Sequence, residues 1–175
     1  MQFDKYGFTY RLVEMDDAAF ILDLRSNKKL SRFLSKTSHQ VMDQENWIKL
    51  YKTRESLSQE FYFITIDEAG KKIGLGRIYN MLHTESSFEI GSWLYTPEAN
   101  MRAPILGDLA IRDYGYEILN FRNCHFEVRK ENLTVVRYHR NFAPELSGED
   151  ELNYYFTLSY ENYLLQRTKL LKFLL

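Results

Sequence analysis

The sequence predicts a mixed α/β sheet, runs of antiparallel strands with helices inserted between them, in a single domain over residues 1–175. Three observations predict it. Short β-branched and aromatic runs at 8–13, 61–66, 72–79, 87–95, 124–129 and 152–158 have the character of strands. Between them the apolar period changes to that of a helix, most clearly from 105 onward, where Leu106, Leu109, Ala110, Tyr114 and Ile118 recur. Finally, 175 residues that are 45% hydrophobic and 15% aromatic supply one core, and three prolines and eight glycines leave few places for a linker.

The elements follow in order. Residues 8–13 alternate as a strand. Asp16 and Asp17 cap a helix to about Arg25, with Phe20, Ile21 and Leu24 on one face. Residues 30–34 read as a second helical turn or two, and Asp43 opens a longer helix to about Ser56 that carries Trp47, Ile48, Leu50 and Tyr51. The runs 61–66 and 72–79 form a hairpin about a polar turn that ends in Gly70, and 87–95 is the third strand in succession. Residues 96–104 are irregular, and a helix runs on from Ile105. A strand at 124–129 leads into a short helix over 133–142, on which Val135, Val136, His139 and Phe142 share a face. Residues 147–150 are a loop, 152–158 a late strand, and 160–175 a final helix.

Charge and cysteine content narrow the function. With 23 Lys+Arg against 24 Asp+Glu the chain has no basic surplus, which disfavours a nucleic-acid partner. The lone Cys124 forms no intrachain disulfide and reads as a small buried hydrophobe. No run approaches the roughly 20 apolar residues of a membrane span, and the first ten residues lack the pattern of a signal peptide. The expectation is a cytoplasmic protein with no membrane partner. The glycosylation triplet Asn132-Leu133-Thr134 carries no meaning without secretion. His39, His83, His125 and His139 show no metal-ligand spacing, and Cys124 and His125, adjacent on a strand, point to opposite faces, so no metal is expected. Gly74-Leu75-Gly76 lies inside a strand and is no dinucleotide fingerprint.

Two segments carry chemistry. A strand that ends in an irregular loop and opens a helix presents outward N–H groups and a dipole that favours anions. Here the loop is Asn100-Met101-Arg102-Ala103-Pro104, with Arg102 adding positive charge and Pro104 tolerated in the first turn. An ordinary loop before a helix has the same appearance, so this segment alone decides nothing. The second is the strand around Glu127, whose carboxylate is placed to act as a general base, directly or through water, or to sit on a polar face in a salt bridge.

Taken together, these segments resemble the GNAT superfamily of N-acetyltransferases. The run Phe88-Glu89-Ile90-Gly91-Ser92-Trp93-Leu94, the loop, and the helix ending Asp113-Tyr114-Gly115-Tyr116-Glu117 are similar to its acetyl-CoA-binding motif. The strand Glu127-Val128-Arg129-Lys130-Glu131-Asn132, leading to Tyr138-His139 and Phe142-Ala143, is similar to its second block. The nearest resemblance is to the group that acetylates ribosomal-protein N-termini or nucleotide-linked amino sugars. It implies a central twisted, mostly antiparallel sheet flanked by helices, with acetyl-CoA as cosubstrate. It implies that the backbone of Leu94, Tyr95 and Thr96 pairs with the pantetheine arm and that amides from Met101 through Arg102, Ala103 and Ile105 to Leu106 hold the pyrophosphate. Asn132 matches the asparagine that contacts the cofactor arm, and Glu127 matches a proposed base. Seven residues beyond that asparagine, where the family's acid is usually tyrosine, stands His139, with Tyr138 beside it. The chain departs from the pattern twice: there, and in having no glycine between Gly91 and Gly107.

The resemblance places the acceptor between the first two helices and the late strands, with Arg25, Arg32, Tyr79 and Glu89 as candidate lining residues. Arg25 or Arg32 is suited to pair with the diphosphate of a nucleotide sugar. The expected reaction is direct attack by an amine on the thioester, with strand amides near Leu94 polarising the carbonyl and both substrates held in register. The expected acceptor is a small-molecule amine, preferably a nucleotide-linked amino sugar, and the expected state a monomer or homodimer. A protein N-terminus as acceptor, or a non-catalytic module that binds CoA or a small molecule, are the alternatives. The missing loop glycines favour the last.

Overall fold

The computed structural model describes residues 1–34, 38 and 40–175. The elements run β1 (Gln2–Lys5), β2 (Phe8–Leu12), α1 (Ala18–Ser26), α2 (Val41–Ser56), β3 (Phe61–Ile66), β4 (Lys72–Leu82), β5 (Ser87–Tyr95), α3 (Ala103–Asp113), β6 (Asn123–Arg129), α4 (Leu133–Arg140), β7 (Glu145–Glu149), β8 (Asn153–Ser159) and α5 (Tyr160–Leu174). One eight-stranded sheet takes the order β1-β2-β3-β4-β5-β6-β8-β7. Every neighbouring pair is antiparallel except β5 and β6. A parallel pair needs a crossover, and α3 supplies it.

The period of two along β3 builds the layers. Phe61 and Phe63 face one side and pack with Leu109, Ala110 and Tyr114 of the crossover, Val136 of α4 and Tyr163 of α5 in one cluster. Tyr62 and Ile64 face the other and pack with Ile21 and Leu24 of α1 and with Ile48 and Tyr51 of α2. β3 is apolar on both faces because both are covered.

Two contacts fix α3 on the sheet. The Tyr95 ring fills the space above Gly74 and Gly107: a Cβ at Gly107 would stand 1.6 Å from the Tyr95 hydroxyl, which bonds Thr65 Oγ1 at 3.0 Å. At the other end of α3, Asp113 is 1% exposed and accepts from Tyr6 (2.5 Å), Tyr163 (2.6 Å), Lys5 (2.8 Å) and Arg167. The first hairpin and the last helix are thus pinned to one carboxylate, and the helix continues past it as a π-helical segment, Tyr114–Ile118.

Three elements differ from the sequence reading. β1 was not expected; it pairs with β2 across a turn in which Tyr6 (φ 56°) and Gly7 (φ 81°) are both left-handed, the geometry of a tight hairpin. Residues 30–34 are turns rather than helix, because Asn27 accepts from the amides of Leu30 and Ser31, and Ser31 from Leu34, without a continuing ladder. The expected loop at 147–150 lies largely within β7, an exposed edge strand with a register shift between Leu146 and Gly148.

Candidate active site

The site begins where the sheet parts. β5 and β6 pair at Ser87↔Asn123, Phe88↔Cys124 and Glu89↔His125, and pairing stops there. The cause lies in β5. Between Arg77↔Gly91 and Leu75↔Leu94 it carries one residue more than β4, and Ser92 takes φ 52°. Such a bulge bends its strand away from the neighbour. The main-chain groups of residues 90–94 that would have met β6 are left facing a gap.

Two cavities open on that gap. The narrower, about 160 Å³, lies between Gly91, Ser92, Trp93 and Leu94 on one side and Phe126, Glu127 and Val128 on the other, with Asp108, Asn132, Val135 and His139 at its walls. The wider, about 600 Å³, lies toward α1 and α2 and is lined by Arg25, Trp47, Tyr62, Tyr79, Arg129 and Asn153, among others. They share Arg77, Ile90, Gly91, Ser92, Glu127 and Arg129, together with Phe33 and Leu34. A two-substrate transfer needs this arrangement: one chamber per reactant and a common wall where they meet.

Glu127 stands on that wall, solvent-accessible and opposite Tyr155 of β8 in register. Below the narrow cleft lies a buried polar network. Arg112 is 0% exposed and donates through Nε to Asp108 Oδ2 (3.0 Å), through Nη1 to Cys124 Sγ (3.3 Å) and through Nη2 to His139 Nδ1 (3.3 Å). Tyr138 donates its hydroxyl to Asp108 Oδ2 at 2.8 Å. Because a guanidinium only donates, His139 Nδ1 must be the bare nitrogen and Nε2 the protonated one. Burial first, then the Arg112 charge, lowers the His139 pKa to about 3. With its pKa lowered in this way, His139 faces the cleft as a neutral ring at neutral pH. Burial and then the Asp108 charge push the Tyr138 hydroxyl well up, and Tyr138 lines neither cavity.

That burial makes stability pH-dependent. The imidazole titrates near 6.5 when unfolded and about 3 when folded, so the unfolded state binds the proton first. Its contribution is complete above pH 6.5 and shrinks as pH falls toward 3, by about 2 kcal/mol at pH 5. Denaturant melts at pH 8, 6 and 5 are expected to show this slope in the wild type and a flatter one in His139→Gln. Equal slopes would remove His139 as the cause.

Among residues expected at the cofactor, Leu94 and Asn132 line the narrow cleft; Tyr95, Thr96, Met101, Arg102, Ala103, Ile105 and Leu106 line neither cavity. Several of the loop's amides are already engaged. Thr96 N–H donates to Ile73, Ala103 N–H to Asn100 and Leu106 N–H to Arg102, while Asn100 Oδ1 caps the Arg102 amide. Met101 is 91% exposed, Ala103 is buried beside Ile73 and Tyr95, and Arg102 reaches the Leu174 carbonyl at 2.8 Å rather than an anion site. In the first turn of α3, where Pro104 has no N–H, the Ile105 amide is the one with no backbone acceptor among the described residues. The unpaired edge of β5 and the apolar walls fit a thioester arm. For the diphosphate the first turn of α3 offers that one amide, and in the loop before it the exposed Met101 N–H also has no acceptor among the described residues.

Of the residues expected at the acceptor, Arg25 and Tyr79 line the wide chamber, and Glu89 lines neither cavity but accepts the Tyr79 hydroxyl at 2.6 Å. Arg32 is exposed beside the Phe33 ring and lines neither cavity. Sequence reading missed Arg77, Arg129 and Trp47. The strand alternation of Arg77-Ile78-Tyr79 puts Arg77 and Tyr79 on one face, the signal that pointed to the first of them. Among the described residues no group of His, Cys, Asp and Glu forms a metal site, and no helix is long and apolar enough to cross a membrane; His39 lies outside the described residues.

The model of the acetyltransferase (GNAT) domain matches residues 8–142. No curated protein matches the chain. Among solved structures, FdhC, described as a nucleotide-linked sugar GNAT, is 31% identical, with a TM-score of 0.88 over 99% of this chain and 98% of that one. A spermidine N-acetyltransferase from Vibrio cholerae, solved with CoA and spermine, is 20% identical with a TM-score of 0.75 over 91% and 99%. The ribosomal-protein-S5-alanine acetyltransferase from Vibrio fischeri is 14% identical with a TM-score of 0.77 over 93% and 98%. The parted strands, the crossover helix and the match over residues 8–142 agree: the chain belongs to the GNAT family and is an acetyl-CoA-dependent N-acetyltransferase.

Proposed function

We propose that the chain acetylates the amine of a nucleotide-linked amino sugar. The observation that carries this is the charge of the wide chamber, where Arg25, Arg77 and Arg129 face Asp43 and Glu127. Three guanidiniums in one pocket suit a diphosphate and repel a polyamine. The 31% identity with a nucleotide-linked sugar GNAT supports the same reading. Acetyl-CoA supplies the acetyl group as an activated thioester. The β5 edge at Gly91–Leu94 orients its carbonyl, and Glu127, at the wall shared by both chambers, takes the proton that the amine must lose to attack. Leu94 and Asn132 hold the arm, and His139 offers the cleft a neutral donor. Arg25 and Tyr79 line the acceptor side, with Glu89 fixing Tyr79.

The test is release of free thiol from acetyl-CoA with a panel of UDP- and dTDP-linked amino sugars, spermidine, and a peptide with N-terminal alanine. Turnover is expected with nucleotide-linked amino sugars and not with spermidine. Preference for spermidine or the peptide overturns the proposal.

A further inference from the structure

One guanidinium of the wide chamber has its orientation already set. Arg77 lies opposite Tyr62 of β3 on one side and Gly91 of β5 on the other. Its Nε donates to Glu60 Oε1 at 2.5 Å. Glu60 is 2% exposed, and its second oxygen accepts from Arg54 Nε at 2.6 Å. The Arg77 guanidinium stands 4.5 Å from the Tyr79 ring centroid and 5.2 Å from that of Trp47. Tyr79 is itself held by Glu89. Among the described residues only Nε of Arg77 has an acceptor, which leaves both terminal nitrogens for a ligand.

This is a fork with its rotamer freedom removed by folding. Binding through it does not carry the ordering cost that a free arginine incurs. Two parallel N–H groups match two oxygens of a phosphate, a pairing that lysine cannot reproduce. Arg25 from α1 and Arg129 from β6 line the same chamber, so with Arg77 its three guanidiniums outnumber the carboxylates of Asp43 and Glu127 and favour an anionic ligand.

We propose that Arg77, oriented by Glu60 and flanked by Trp47 and Tyr79, binds the diphosphate of the acceptor, and that Glu60 is its positioning residue. The inference rests on the nucleotide-linked reading above and names the residues that would enforce it. Arg77 also lines the narrow cleft, so the phosphates of CoA are a second source of the same chemistry. The experiment separates the two.

UDP, dTDP and CoA are each titrated calorimetrically into the 175-residue wild type, Arg77→Lys, Glu60→Gln and the double variant, alongside steady-state kinetics with the preferred sugar nucleotide. Arg77→Lys is expected to weaken the nucleoside diphosphate by about ten- to a hundredfold and to leave CoA within about twofold. KM for the sugar nucleotide rises by the same factor while kcat stays within about threefold. Glu60→Gln weakens the nucleotide less, and its effect disappears in the Arg77→Lys background. A Glu60 that only supports the fold would lower the melting temperature without that coupling. If Glu60→Gln does not fold, Arg77→Lys alone decides. Unchanged nucleotide affinity in Arg77→Lys, with sugar nucleotides still turned over, overturns this inference and leaves the function standing. Weakened CoA in its place assigns the fork to the carrier and overturns it equally. A wild type that acetylates spermidine or the peptide and no sugar nucleotide overturns the function itself.

Discussion

An Arg112→Met protein is expected to lose about 3–5 kcal/mol of stability, because the substitution strands a buried carboxylate. Asp108 is 3% exposed; without the guanidinium at 3.0 Å it retains the Tyr138 hydroxyl as its partner. Cys124 and His139 lose their donor in the same step, and the Phe126 ring loses the cation 4.6 Å from its centroid. For a domain of this size the melting temperature falls by roughly 10 °C. Changing Asp108 to Asn in the same molecule removes the orphaned charge, and the double variant regains a large part of the loss. Thermal melts of the four proteins complete the cycle. If Arg112→Met melts with the wild type, or the second change makes it worse, the network does not hold the floor of the cleft. The nitrogen resonances of His139 report separately: with Arg112 gone, Nδ1 is free to carry the proton.

Glu127→Gln is expected to lower kcat by about a hundredfold, the scale of one positioned proton acceptor. Glutamine keeps the size and hydrogen-bonding reach of the side chain and cannot take a proton near neutrality. Cosubstrate binding is expected to survive the change, with acetyl-CoA at a hundredfold excess over Kd still stabilising the variant by about 2.7 kcal/mol. Raising the pH restores part of the rate, since more of the amine is then deprotonated before it binds. A wild type that binds the carrier and releases no thiol with any amine would be a binding module. A variant with wild-type kcat would place the proton elsewhere, on water or on the acceptor itself.

Legibility in the sequence followed periodicity. Strands with alternating or doubly apolar patterns (β2 to β6 and β8) and helices with a stripe (α1 to α5) were readable to within a few residues, because burial on one face or two imposes the pattern. β1 and β7 were not: they are edge strands with little burial, held by turn geometry and pairing rather than by an apolar code. Leu30 and Leu34 looked helical because both pack against the α1–α2 cluster, which turns accomplish as well. For the site, Glu127, Asn132, Leu94, Arg25 and Tyr79 were named from the sequence and line the two cavities. The loop residues Met101 to Leu106 line neither cavity, and the main-chain bonds that Ala103 and Leu106 make there are recorded by no motif spacing. Arg77 shares a strand face with Tyr79 by alternation alone, but which cavity that face meets, and the place of Arg129, required cross-strand register and the bulge at Ser92.

The Asp113 junction has a consequence for the order of events during synthesis. Its partners sit at positions 5, 6, 163 and 167, so the carboxylate gathers segments that leave the ribosome far apart in time. The nascent hairpin brings a cation and a phenol to that point first, but α5 cannot close over it until residues 160–174 have been made. Completion is thus a late, long-range step, and a nascent chain stalled before residue 163 carries a half-occupied acid under an uncovered apolar face that a holding chaperone would meet.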